Sequence, residues 1–203
     1  MKNLHQKSKN IFLNGTSSIG KTSIAKALQE QLPEPYLHIG IDTFLFMLAP
    51  KYMMTNSEAH LGIQFLESED DTGKPFIEIV NGIYGDKLCA GMCFAIRSLI
   101  DEENHLIIDE VLYSQERAER YKSILQDQDA LFVKVNAPLE VAEKRGKSRG
   151  DRVIGLARGL YNTVHSKLIN YHFEVDTAQL TPEESASQII HSYEKVFPQT
   201  VSI

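Results

Sequence analysis

The chain has 203 residues, 42% of them hydrophobic, and a formal net charge of −6. That length suits one well-buried domain and would leave two domains both small, so a single domain over residues 1–203 is expected. The acidic balance disfavours a general nucleic-acid or anionic-membrane binder, which needs a positive surface to neutralise phosphates, and any anion site must be local.

The first ten residues are polar and basic with no apolar core, so they do not read as a secretory signal. No apolar run approaches the roughly 20 residues that span a bilayer. Cys89 and Cys93 stand four apart in the apolar run 87–100, on one face of a predicted helix, where buried thiols are the ordinary reading. The default setting is reducing, soluble and cytoplasmic, and nothing in the chain specifies an oligomeric state.

In chain order, short apolar runs alternate with longer segments of helical period, the mark of a parallel sheet with helices on both faces. Residues 11–13 read as the first buried strand. The segment 20–32, with Ile24, Ala25, Ala27, Leu28 and Leu32 at helical spacings, reads as a helix stopped by Pro33 and Pro35. Residues 36–41 form a second predicted strand, in which His38 is expected to pack, ending at Asp42. The stretch 43–54 is apolar but irregular, and the acid-rich 67–74 reads as a solvated loop topping a lid or cap. Residues 76–80 are a short strand or the lead into a helix over 82–102.

Strand 105–109 has an apolar centre suited to cover on both faces. A helix over 115–125, a strand over 130–135 and a helix opened by Pro138 come next. Residues 151–170 read as one helix and 171–175 as the last strand. A helix over 182–196, capped by Thr181, closes the chain.

The strongest motif is Gly15-Thr16-Ser17-Ser18-Ile19-Gly20-Lys21-Thr22, which satisfies G-x-x-x-x-G-K-[ST] between a predicted strand and a predicted helix. Its glycines let the backbone wrap phosphates, its amides donate, and the positive end of the following helix faces the anion. Lys21 would reach the β- and γ-phosphates of ATP while the Thr22 hydroxyl ligates Mg²⁺. The strand end Leu106-Ile107-Ile108-Asp109-Glu110 resembles a metal-binding strand, with Asp109 holding Mg²⁺ directly or through water. Glu110 has three readings there: supporting the metal shell, touching the substrate, or ending the strand and capping the residues after it.

Asp42 sits at the carboxyl end of a strand, the edge at which open α/β sheets bind ligands. A carboxylate there accepts an acceptor's hydroxyl proton or holds the hydroxyl in line, though a loop cap is equally common from spacing alone. Residues 144–152 hold the densest basic cluster, with Arg145, Arg149 and Arg152. It suits an arginine-rich lid closing over a triphosphate, with a solvated basic helix C-terminus favoured by the dipole as the alternative. The segment of about 43–81, with Phe44, Leu45, Phe46, Met47, Met53 and Met54, is the expected acceptor pocket, although core packing is the commoner fate of such residues.

On these residues the chain resembles the chloramphenicol phosphotransferase family, P-loop kinases of shikimate-kinase-like build. The likeness spans most of the chain. It is carried by Gly15 to Thr22, by Leu32-Pro33-Glu34-Pro35 leading into Gly40-Ile41-Asp42, and by Ile107-Ile108-Asp109-Glu110-Val111. The run Arg149-Gly150-Asp151-Arg152-Val153-Ile154-Gly155-Leu156-Ala157, Val164-His165 and Glu174-Val175-Asp176-Thr177 complete it.

The resemblance implies an α/β three-layer P-loop NTPase fold with a central parallel sheet and a small arginine-rich lid. It places Asp42 as catalytic base and Arg145, Arg149 and Arg152 on the lid, and by analogy with related kinases it sets Thr177 near the adenine. The implied reaction is ATP-dependent, Mg²⁺-requiring phosphorylation of a small-molecule hydroxyl. A nucleoside or sugar-like acceptor, and a regulatory NTPase without an acceptor, remain alternatives. A basic nucleic-acid module on residues 144–152 runs against the overall acidity.

Overall fold

The computed structural model describes residues 8–150, 153–165 and 169–198. Five parallel strands form the central sheet in the order β2-β6-β1-β7-β8, with β1 at Lys9–Asn14, β2 at Tyr36–Gly40, β6 at His105–Glu110, β7 at Asp129–Asn136 and β8 at Phe173–Asp176. The chain leaves β1 to one side for β2 and crosses to the other for β7 and β8. A cleft therefore opens at the carboxyl end of β1, where the strand order reverses.

Both faces are covered. Helices α1 (Lys21–Gln31) and α7 (Pro182–Val196) pack on one face, burying Ile24, Leu28 and Ile189 against Ile11, Leu13, Ile107 and Val133. On the other face, α3 (Ile83–Asp101) and α4 (Gln115–Leu125) bury Met92, Ile96, Tyr121 and Leu125 against Phe12, Leu106 and Ile108. Cover on two sides explains why β1 and β6 read as continuous apolar runs. Thr181 accepts from the Glu184 amide while the Glu184 side chain accepts from the Thr181 amide, the reciprocal cap that fixes the start of α7.

A second sheet, β3-β4-β5, lies beside the first and consists of Met53–Met54, Ile63–Glu69 and Pro75–Asn81. Here the structure corrects the expected loop at 67–74. Residues 67–69 finish β4, and only 70–74 turn, with Asp70 Oδ1 accepting from the Thr72 and Lys74 amides at 2.9 and 3.0 Å. The outer end of β4 is exposed, so no core imposes alternation on its sequence and its acids mask the strand.

The single helix expected over 151–170 is also corrected. Among the described residues of that span, only α6 (Leu156–Tyr161) is helical. Gly155, at φ 86, starts it in a left-handed turn, and its carbonyl accepts from the Ile77 amide at 3.1 Å, so α6 sits directly on β5. Leu156 and Leu160 join Ile77, Phe65, Ile79, Val111, Tyr113 and Val153 in a third, smaller apolar cluster.

Arg158 of α6 makes two ion pairs, to Asp70 at the hairpin tip (3.0 Å) and to Glu143 (2.7 Å) of α5, which runs Leu139–Arg149. No helix among the described residues is long and apolar enough to cross a membrane.

Candidate active site

The loop from β1 to α1 runs under the sheet edge so closely that a Cβ on Gly15 would meet the Val135 carbonyl oxygen at 2.4 Å, leaving room there for glycine alone. Ile19 is buried in the α1-side core and anchors the loop by its side chain. Thr16 Oγ1 donates to the Ala157 carbonyl of α6 at 3.0 Å. No side chain caps α1 and its own first turn holds no acid, as suits a helix start that faces an anion.

Lys21 is 7% exposed and donates to the Gly15 and Thr16 carbonyls at 3.0 Å each, with Asp109 Oδ1 at 3.7 Å. Thr22 Oγ1 donates to Asp109 Oδ2 at 2.7 Å. Burial alone would raise the Asp109 carboxyl. Lys21, His38 and Thr22 outweigh that and hold it below the usual carboxylate range.

Asp42 lies not on the strand, as expected, but in the first turn of the short helix α2 (Ile41–Leu45) that follows β2. One cleft is lined by Lys21, Thr22, Asp42, Asp109 and Arg149, so these five sequence-assigned residues converge, whereas Gly15, Thr16, Arg145 and Thr177 do not line it. Ser17, Ser18, Ile19 and Gly20 line it as well.

Glu110 is placed elsewhere. Successive side chains of a strand face opposite ways, and Glu110 turns into the α3–α4 side with 0% exposure. Arg117 Nη2 donates to both of its oxygens at 2.7 and 2.9 Å, Tyr121 to Oε1 at 2.6 Å, and the Val111 amide to Oε2 at 2.8 Å. Of its three readings, the amide cap stands, and the metal and substrate roles do not.

Over residues 144–149 the basic segment is the end of α5, closed by Gly150 at φ 72, the basic helix C-terminus that was one of its two readings. Arg145 is committed locally. Its Nη1 donates to Thr177 Oγ1 at 2.8 Å and to the Ile19 carbonyl at 3.3 Å, and its Nη2 to the Thr177 carbonyl at 2.6 Å. Thr177 Oγ1 in turn donates to the Ile19 carbonyl at 2.7 Å. Arg145 and Thr177 therefore pin the phosphate loop to the end of β8 and border a second groove with Ser18, Gly20 and Arg149. Arg152 lies outside the described residues.

Two features escaped sequence reasoning. His38, expected as strand packing, lines the cleft with Nε2 3.5 Å from Asp109 Oδ2. The expected acceptor segment does line the cleft, through Leu45, Phe46, Met53, Met54, Ile63, Phe65 and Ile79, whereas Phe44 packs into the α3–α4 side and Met47 is exposed; the unforeseen part of the far wall is Tyr113 after β6 with Leu156 and Leu160 of α6. The signal for His38 was its place two residues before Gly40, on the same strand face. The wall's parts carry no mutual spacing signal.

The comparisons with known proteins bear on the family and the fold. Residues 8–194 match the family model described as chloramphenicol phosphotransferase-like protein. A Mycobacterium tuberculosis protein, from strain H37Rv and provisionally named an O-phosphotransferase, is 30% identical over 187 residues, covering 91% of this chain and 81% of its own length. Among solved structures, the M. tuberculosis APS kinase in complex with AMPPNP and APS superposes with a TM-score of 0.64 at 16% identity, over 93% of this chain and 98% of that one. The Acinetobacter baumannii shikimate kinase in complex with shikimate gives a TM-score of 0.61 at 14% identity, over 95% and 96%. The fold is thus that of P-loop kinases, and the chain belongs to the chloramphenicol phosphotransferase-like family.

Proposed function

We propose that the protein is an ATP-dependent, Mg²⁺-requiring O-phosphotransferase that moves a γ-phosphoryl group onto a hydroxyl of a small molecule. The observation that carries this reading is the shared cleft, lined together by Asp42, Lys21, Thr22 and Asp109. A switch protein has no use for a further carboxylate in that cleft, and this favours transfer over regulation.

The residues present fit both groups. The tight turn at Gly15, the uncapped start of α1 and a buried Lys21 resting on loop carbonyls suit a polyphosphate. A hydroxyl and an ionised carboxylate in contact, Thr22 and Asp109, are a hard oxygen pair suited to Mg²⁺, which keeps several waters and takes phosphate oxygens for the rest. Bound there, the ion would neutralise charge on the phosphate oxygens.

Lys21 leaves the Gly15 and Thr16 carbonyls to meet the β- and γ-phosphates. Asp42 holds the acceptor hydroxyl in line and takes its proton as the new oxygen–phosphorus bond forms and the bond to the ADP oxygen breaks. Arg149, exposed at the end of α5 and bordering both grooves, is the guanidinium placed to meet charge developing on the transferred group. Arg152 belongs to the same proposed lid over residues 144–152. Arg145 and Thr177 hold the loop and border the nucleotide groove.

Residues 43–81, with α6, supply the acceptor wall within a single domain. Its apolar lining favours an acceptor with an apolar body over a sugar-like one. Incubation with γ-labelled ATP, Mg²⁺ and a panel of chloramphenicol, aminoglycosides, sugars and nucleosides tests the reading. Label is expected in an apolar alcohol; absence of any affinity for nucleotide with magnesium would overturn it.

A further inference from the structure

Asp109 has one firm side-chain hydrogen bond, from Thr22 to Oδ2, and Lys21 stands near Oδ1. A carboxylate that supports a cation shell needs its rotation fixed, and such carboxylates are themselves held by hydrogen bonds from outer partners. On β2 the residue paired with Asp109 is Gly40, which offers no side chain. The next residue back on the same face is His38. Its Nε2 is buried and has no hydrogen-bond partner, although Asp109 Oδ2 lies 3.5 Å away. A buried polar nitrogen without a partner costs free energy, and an oxygen accepts two bonds. A small rotation of either side chain satisfies both groups.

We propose that His38 is a positioning residue for the cation shell: its imidazole donates from Nε2 to Asp109 Oδ2 and, together with Thr22, fixes the carboxylate toward the nucleotide-bound divalent ion. The proposal rests on the kinase reading above. Nothing in the phosphate-loop motif demands a histidine here; the geometry of this β2 edge, with glycine at position 40, does.

Mn²⁺ affinity of the protein–ADP complex, measured by electron paramagnetic resonance, tests this without turnover. His38→Leu is expected to weaken Mn²⁺ binding about 10- to 100-fold, the usual effect of losing an outer-shell partner. His38→Gln, whose amide donates from nearly the same place as Nε2, is expected to recover most of the loss. Affinity for ADP without cation and the melting temperature should be unchanged in both.

Wild-type Mn²⁺ affinity in His38→Leu overturns the proposal. So does a parallel loss of cation-free ADP binding or of thermal stability, because His38 would then be packing only. Failure of the unaltered protein to bind Mn²⁺ with ADP would remove the kinase reading itself, a result distinct from any difference among the variants.

Discussion

The cleft has two unlike walls. On the side proposed to take phosphate, the lining is consecutive: backbone and short polar groups of 15–22 are held by Thr16 to Ala157, Thr177 to Ile19 and Arg145 to Thr177. On the acceptor side, single apolar residues from β3, β4, β5, α6 and the end of β6 meet around a space, and none contributes more than a surface. The first wall suits a ligand whose shape never changes, since rigid donors need no reorganisation. The second can change its occupant by exchanging side chains, because apolar cores tolerate substitution that keeps volume and pattern.

Perturbing each wall in turn sharpens the contrast. Lys21→Ala should nearly abolish transfer, by about 10³-fold or more, with the fold intact by circular dichroism; wild-type turnover would break the phosphate-side account. Asp42→Asn should lower kcat by about 10²- to 10³-fold with nucleotide affinity little changed. Equal losses in both would make Asp42 structural.

Arg149→Ala should slow the chemical step about 10²-fold, as removal of one preorganised charge does; unchanged single-turnover rates would return it to the solvated surface. Phe65→Ala should raise the acceptor KM about tenfold and leave the ATP KM alone. A matching rise in both constants would dissolve the distinction between the walls.

The smallest effect is on stability. Burial, with help from Lys134 and Lys21, pushes His165 down to about 4. The folded chain keeps it neutral while the unfolded chain protonates it near 6.5, so stability falls as pH drops from about 6.5 to 4. The slope of melting temperature against pH over that window should be shallower in His165→Gln; an identical slope would show that the histidine is not held neutral.

The same division decides what could be read from the chain. Strand, loop and helix at 9–31 were legible because the motif is contiguous and its neighbours are apolar at the right periods. Asp109 was legible for the same reason, and Asp42 as a residue just past a strand. Glu110 left three readings because strand alternation, not composition, sends it to Arg117 and Tyr121.

The β4–β5 hairpin was hidden by acids on its exposed end, and α6 by a span whose helical period conceals the turn at Gly155. His38 could be given no role without knowing that β2 lies against β6. Pairing between distant strands is a tertiary fact, and local periods do not encode it.

Arg158 bridges Asp70 at the hairpin tip and Glu143 on the helix that bears Arg149. Whoever grafts a foreign hairpin onto this scaffold to accept a new alcohol therefore inherits a constraint far from the pocket. The transplanted tip must keep an acid for Arg158. Otherwise Arg158 keeps Glu143 alone, and the helix proposed to carry Arg149 to the phosphoryl group loses its tie to the hairpin.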